Sequence, residues 1–352
     1  MEDKKYPLIR RFCAVVIGVV FFVAGMLKLM DPSGAALKVQ DYLAFFHMPF
    51  LTGCSRLIAV ALALLEAFCG AALISGVWRR ITAAVTVAML GFFTILTAIL
   101  FFSHADLDCG CFAEAVRMTP LQSLLKNVAL CLLALAAFVP VGGYGSPRKP
   151  KYAGFALGVI CASALCAYSL SHLPLVDYSD FAPGCSLISA SAASPQVEGE
   201  ALMLVDDEGW GRDDRLLYGK KMTVSVYDAA GLGAAQWADI SSFFEGAYGC
   251  GIETCLIVSA DSRDAVPDYL EAPVYTADAR KLMALNRSNG GVTYLEDGMV
   301  ICKWKLRDAP GRESLMEVAQ NNSTEMMVER STFPKLVFDC LLIVPLALMF
   351  IV

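Results

Sequence analysis

Charge is scarce in this chain. Only 18% of its 352 residues are Asp, Glu, Lys or Arg, and 57% are hydrophobic. A soluble domain carries about 25% charged and about 45–50% apolar residues. The deficit excludes a purely soluble protein, a disordered chain and a nucleic-acid binder that relies on a basic face. Histidine is scarcer: His47, His104 and His172 are all there is, which limits histidine-based metal sites. Cysteine is plentiful, but thirteen is an odd number and many sit inside apolar runs, so one disulfide framework is excluded. The charge present is unevenly spread. Residues 1–175 carry 14 Lys/Arg against 8 Asp/Glu, and residues 176–332 carry 13 against 25. A cationic apolar half before an acidic polar stretch reads as a membrane domain followed by a soluble one.

A bilayer core of about 30 Å takes about 20 apolar residues in helix. Five runs in the first half qualify: Phe12–Leu29, Leu57–Val77, Ala83–Phe102, Leu121–Val141 and Phe155–Leu173. A sixth, Leu336–Val352, is short and contains Asp339 and Pro345. The first run could be read as a cleaved signal with Ser33-Gly34-Ala35 as its site. Lys28 and Asp31 lie between run and site, which fits a retained helix better. Basic residues favour cytoplasmic loops. Lys4, Lys5, Arg10 and Arg11, then Arg79 and Arg80, then Arg148, Lys149 and Lys151 place three connections inside. The connections 31–56 and 103–120 then face out, as do residues 176–332, and the expected setting is the cytoplasmic (inner) membrane with a cytoplasmic N-terminus. Cys54, Cys109, Cys111, Cys185, Cys250, Cys255 and Cys302 fall on the outer side, where disulfides persist.

Residues 174–200 read as a linker. Beyond it short elements follow: strand Met222–Tyr227, helix Gln236–Ala247, strand Cys255–Ala260, helix Asp278–Asn286, a hairpin of Gly291–Leu295 and Met299–Trp304 about Glu296-Asp297-Gly298, and a helix Ser314–Arg330. This β-α-β-α-β-β-α order, with Gly291 to Val300 as its hairpin, resembles the thioredoxin fold and assigns 201–332 to a degenerate thioredoxin-like domain. That family's dithiol stands at the start of the first helix, where the helix N-terminus activates it. Here Asp228 to Gln236 contains no Cys, and Gly290 stands where a proline is expected, so the domain reads as non-catalytic. Cys250 and Cys255 form Cys-x4-Cys, read as a structural disulfide or as two unpaired buried thiols.

The membrane half carries Gly25-Met-Leu-Lys28-Leu-Met-Asp31-Pro32, Leu65-Glu66 and Gly70, and Asp108-Cys109-Gly110-Cys111-Phe112 between the third and fourth runs. The first two segments resemble the DoxX superfamily of four-helix membrane proteins, and the Cys-Gly-Cys-Phe is similar to its MauE branch, the methylamine-utilisation membrane proteins. The resemblance spans about residues 8–142. The fusion of such a unit to a degenerate thioredoxin-like domain also resembles DoxX-family proteins of Bacteroidetes. The fold class expected is therefore a membrane α-helical bundle, a four-helix unit with further helices at 152–173 and 334–352, joined to an extracytoplasmic α/β domain. The resemblance implies thiol–disulfide work, or maturation of disulfide-bearing partners.

Cys109 and Cys111 stand as a candidate redox pair on their own chemistry too. Cα atoms two apart lie within about 5.5–7 Å, the long end of disulfide geometry. A strained bond there is oxidising and readily exchanged. Each Cys bonded elsewhere or inert is the second reading, and metal ligation with His104 and one of His47, His172 or Cys54 the third; the spacing fixes no metal set. Lys28 and Glu66 form a candidate intramembrane polar pair, since ionisable residues at such depth face the bundle and pair. A structural ion pair is the plainer reading, a proton or quinone site coupled to the thiols the sharper one. The expected partners are the lipid bilayer and an extracytoplasmic thiol or disulfide protein, with no nucleic acid. Two functions stay open: a membrane thiol–disulfide oxidoreductase, or a non-enzymatic scaffold whose thioredoxin-like domain docks a partner.

Overall fold

A computed structural model describes residues 5–104, 107, 110–139, 149–187, 202–206, 208–211 and 213–351. It divides into two units, 1–175 with 336–352, and 176–335.

The first unit is helical. Helices α1 (Lys5–Met30), α3 (Ser55–Ser75), α4 (Arg79–Phe102), α5 (Pro120–Phe138), α6 (Lys149–Ser171) and the last helix, Ser323–Ile351, make six candidate spans long and apolar enough to cross a membrane. The chain is thus a multi-pass membrane protein by length and composition. Their outward faces stay apolar: Ile95, Leu125, Leu132 and Ile160 are all exposed. The connection after α1 contains a helix that the apolar runs do not reveal, α2 (Pro32–Phe45). Asp31 starts it by accepting from the Gly34 N–H at 2.9 Å, with Pro32 in the first turn. A short strand, β1 (Cys111–Glu114), lies in the connection before α5. Thr119 and Gln122 form a capping box at the start of α5.

The two ends of the bundle differ. At one end Arg11 donates to the Leu73 and Ile74 carbonyls, Arg10 to the Ala137 carbonyl, and Arg79 to that of Gly76. Gly76 ends α3 in the left-handed region at φ 75°. At the other end α2 packs against the Gly110 turn, where a Cβ on Gly110 would lie 3.3 Å from the Lys38 side chain.

The second unit holds a five-stranded mixed sheet of β2 (Lys220–Val226), β3 (Glu253–Ser259), β4 (Val274–Ala277), β5 (Gly291–Glu296) and β6 (Met299–Trp304), in the order β4-β3-β2-β5-β6. β2, β3 and β4 run parallel; β5 is antiparallel to β2, and β6 to β5. Helices α7 (Ala234–Tyr248) and α9 (Arg312–Gln320) cover one face, with Trp237, Ile240, Leu315 and Val318 packed on Val224, Leu256 and Val292. Helix α8 (Ala279–Leu285) covers the other, with Leu282 and Leu285 beside Cys255, Ile257 and Leu295. Alternating strand residues fill the two cores, as period-2 geometry requires.

Three expectations change. The stretch 176–187, expected as linker, packs on the sheet: Phe181 and Leu187 join the α8-side core, and Ser186 bridges to Met299. Asp177 pairs with Lys303 at 2.6 Å. The edge strand β4 was not foreseen; it also receives Val205, which exchanges backbone hydrogen bonds with Thr276 at 2.8 and 2.9 Å. The helix expected over 314–330 is broken. Asn321 is extended, Asn322 accepts from the Thr324 N–H, and a second helix, α10, runs unbroken from Ser323 to Ile351.

Candidate functional site

The site begins with the close approach of α1 and α3. A Cβ built on Gly25 would lie 2.5 Å from the Ala67 nitrogen and 2.7 Å from the Ala63 oxygen. A Cβ on Gly70 would strike the Phe22 backbone equally hard. Real side chains do not approach backbone so closely, so glycine at both positions lets the helices touch, the small-residue packing usual in membranes. The contact brings Lys28, near the end of α1, against Glu66 in the middle of α3. Lys28 Nζ donates to Glu66 Oε1 at 2.6 Å and Oε2 at 2.7 Å. The side chains are 12% and 5% exposed. Lys28 also lies 5.4 Å from the Phe93 ring centroid on α4. Lys28 and Glu66 thus pair across the helix contact, and the glycines of the two motifs are what permit it.

Beside the pair is a cavity of about 400 Å³, within the range of about 300–1,000 Å³ that holds small-molecule ligands. Five helices and a loop wall it: Phe21, Ala24 and Lys28 from α1, Lys38, Val39 and Tyr42 from α2, Leu62 and Glu66 from α3, Phe93 and Thr97 from α4, Cys111 and Phe112 from the β1 loop, and Lys126 and Asn127 from α5. Lys126 Nζ stands 4.9 Å over the Phe112 ring. Asn127, 2% exposed, donates to the Phe93 carbonyl at 3.2 Å and to Thr97 Oγ1 at 3.3 Å. The lining is apolar apart from these groups. The cavity thus joins two features that stand far apart in sequence, the Lys28–Glu66 pair and Cys111.

Lys38, Tyr42, Lys126 and Asn127 were missed by sequence reasoning. Lys126 and Asn127 interrupt the apolar run 121–141, and polar residues inside a span are the signal that could have found them. Lys38 and Tyr42 sit on a helix whose existence the run-based reading did not register.

The remaining candidates scatter. Cys109, with Asp106 and Asp108, lies outside the described residues. Cys250 and Cys255 are free thiols. Cys255 points into the α8-side core, while Cys250 borders the core on the opposite face and donates to the Arg312 carbonyl at 3.7 Å. The two sulfurs thus face opposite sides of the sheet, and neither is bridged in this arrangement. Burial pushes the Cys255 thiol up to about 12 and Cys302 to about 11, which disfavours the reactive thiolate. His172 stacks on Tyr168 with centroids 4.4 Å apart. Among the described residues no three His, Cys, Asp or Glu side chains gather where a metal could bind.

Residues 6–140 match the family model described as Methylamine utilisation protein MauE. The bundle is similar to that family. The matched stretch takes in α1 to α5, and so the glycine contact, the ion pair and the cavity. No curated protein and no solved structure matches the chain.

Proposed function

We propose that this membrane protein exchanges thiols and disulfides with an extracytoplasmic partner, or matures disulfide-bearing partners, through Cys109 and Cys111. The observation that carries the reading is the position of Cys111 on the lining of a cavity that also holds a buried ammonium–carboxylate pair. A thiol beside proton-bearing groups in an apolar chamber has what an exchange reaction needs: a sulfur to attack and a path for its proton. The Cys-Gly-Cys spacing supplies the second sulfur. The similarity of residues 6–140 to MauE supports the same direction. The arginines gathered at the other end of the bundle support an orientation with that end cytoplasmic and the Cys111 end outside.

The second unit supports a docking role beside this chemistry. Its β3-β2-β5-β6 order, with helices on both faces, fits a thioredoxin-like reading. Gly290, at φ 74°, donates its N–H to the Ser225 carbonyl at 2.9 Å and lies beside Leu232. Asn289 ties that turn to the start of the α7 loop by accepting from the Tyr227 and Asp228 N–H groups. The groove of a thioredoxin is kept in this reading and its dithiol is replaced by the loop Asp228–Gln236. Hence the alternative of a purely non-enzymatic scaffold rests on this unit, whereas exchange rests on the bundle.

Differential alkylation in intact cells tests the proposal. Cys109 and Cys111 are expected to be oxidised in part and to shift on brief exposure to dithiothreitol. Cys111→Ser is expected to trap or lose a mixed disulfide with a partner. Thiols that remain fully reduced under every oxidant leave the scaffold reading.

A further inference from the structure

We propose that the cavity walled by α1 to α5 is a site for an isoprenoid quinone, which accepts the electrons of the thiol pair. The inference rests on the thiol-exchange reading and adds its oxidant. Three observations carry it. First, the cavity opens sideways. Phe92 and Ile95, which line it on α4, are 56% and 63% exposed, and Phe46 at the end of α2 is 40% exposed. In a membrane span such residues face lipid, so an occupant enters from the bilayer and must itself be membrane-soluble. Second, the interior is apolar with a polar end, which suits an amphiphile with a small polar head and a hydrocarbon tail. Two N–H groups of Lys28 are used by Glu66; the third is available to a carbonyl oxygen of a bound head group. An ammonium in so dry a place binds a developing oxyanion far more strongly than in water. Third, Cys111 is part of the lining, so a redox-active head group in the cavity meets a sulfur without any further carrier. A lipid acyl chain satisfies the first two observations and leaves the third without use.

The step balances. Two thiols lose two electrons and two protons and form one S–S bond. The quinone gains two electrons and two protons and becomes the hydroquinone. The first proton reaches one quinone oxygen from the Lys28 ammonium, Lys28 is reprotonated through Glu66 by the proton of the first thiol, and the proton of the second thiol passes to the other quinone oxygen.

The test uses the full-length protein in nanodiscs and a decyl-chain benzoquinone as probe. Saturable binding is expected in the parent and in the Cys109→Ser/Cys111→Ser double variant. Leu62→Trp, which places an indole in the cavity, is expected to weaken binding at least tenfold. A thermal melt identical to the parent's shows that the variant is folded; Ala24→Leu serves as a second cavity-filling variant where it is not. The dithiothreitol-reduced, desalted parent is expected to reduce one quinone per chain, and the double serine variant none. Absence of saturable binding above the lipid background, as when acyl chains alone fill the cavity, overturns the inference. So does binding that cavity filling leaves unchanged, or a parent that binds the probe without reducing it while its thiols still exchange with dithiothreitol. Thiols that do not exchange at all instead defeat the proposed function, and the binding arm then reads the site alone.

Discussion

Removing one member of the Lys28–Glu66 pair is the sharpest perturbation the bundle offers. With Glu66→Ala, the Lys28 ammonium is left facing Phe93 and an apolar lining, with its two strong hydrogen bonds gone. Breaking a buried pair in this way costs about 3–5 kcal/mol. The long lysine stem can swing the charge toward the cavity mouth, which favours the lower end. Even about 3 kcal/mol lowers the folded-to-unfolded ratio more than a hundredfold at about 1.4 kcal/mol per tenfold, and the total stability at stake is about 5–15 kcal/mol. Lys28→Ala should cost a similar amount. The double variant Lys28→Met/Glu66→Leu removes both charges and keeps the volume, and replacing a buried pair by apolar residues is often neutral or stabilising; it should recover most of the loss. The assay is the folded fraction surviving heating, read by size-exclusion chromatography, with the redox state of the thiols measured in parallel. A double variant as unstable as the singles refutes the electrostatic argument. A stable double variant whose thiols no longer cycle assigns the pair a chemical role as well. Three variants identical to the parent in both measurements would mean that the pair is neither.

Four further outcomes follow from the same structure. Gly25→Val and Gly70→Leu should each force α1 from α3, costing at least the roughly 1–3 kcal/mol of an overpacked core, whereas Gly91→Ala, where a Cβ meets nothing within 4 Å, should be silent; comparison of melting midpoints decides. Burial pushes the Asp177 carboxyl up, but the Lys303 ammonium, the Ser179 N–H and Arg287 together hold it below its usual 3.8, so its contribution is present above that value and lost as pH falls through the lowered one. Asp177→Asn should therefore destabilise at neutral pH and lose that deficit in acid, as denaturation from pH 7 to pH 2 would record. A membrane-impermeant maleimide should label the exposed Cys54 and the reduced Cys109–Cys111 pair in spheroplasts, and labelling only after lysis would reverse the orientation. The full chain carrying Cys109→Ser and Cys111→Ser should reduce no insulin, since Cys250 and Cys255 lie on opposite faces of the sheet; reduction that disappears with Cys255→Ser would show a dithiol site in the second unit.

The spans were legible because lipid-facing helices need long apolar runs, and the sheet because short β-branched and apolar runs around Val224, Leu256 and Val292 mark buried strands. The Lys28–Glu66 pairing was legible for a related reason: a charge within a span has few places to go. What the sequence hid is contact geometry. Helix α2 follows a run that already accounts for its neighbours' hydrophobicity, and its own face toward α3, Ala35 and Ala36 against Ala59, is too small to register as a periodic stripe. β4 is four residues long and draws its order from pairing on β3 rather than from its own pattern. Residues 176–187 have the composition of a linker because only Phe181 and Leu187 enter the core, and the stretch is otherwise held by backbone hydrogen bonds along β6 and by the Asp177–Lys303 pair.

The cavity was the least legible feature, and its origin explains why. Its polar groups come from all five helices α1 to α5 and the β1 loop, and no local pattern links Lys28 to Asn127. They converge because α1 sits so tightly on α3. With glycine at 25 and 70 the two backbones touch and Glu66 reaches Lys28 across the contact. Bulky α4 residues, Phe93 among them, border the space beside the pair rather than filling it. A pair of larger residues at the two glycine positions would therefore do more than lower stability. It would separate Lys28 from Glu66 and alter the chamber that Cys111 lines. Even Gly25→Ala adds a Cβ within 2.5 Å of the Ala67 nitrogen and 2.7 Å of the Ala63 oxygen, so that substitution should lower abundance and, in the protein that still folds, thiol cycling per folded molecule. Reduced cycling per folded Gly25→Ala molecule would tie the chemistry to the helix contact. Unchanged cycling per folded molecule would show that the contact serves folding alone.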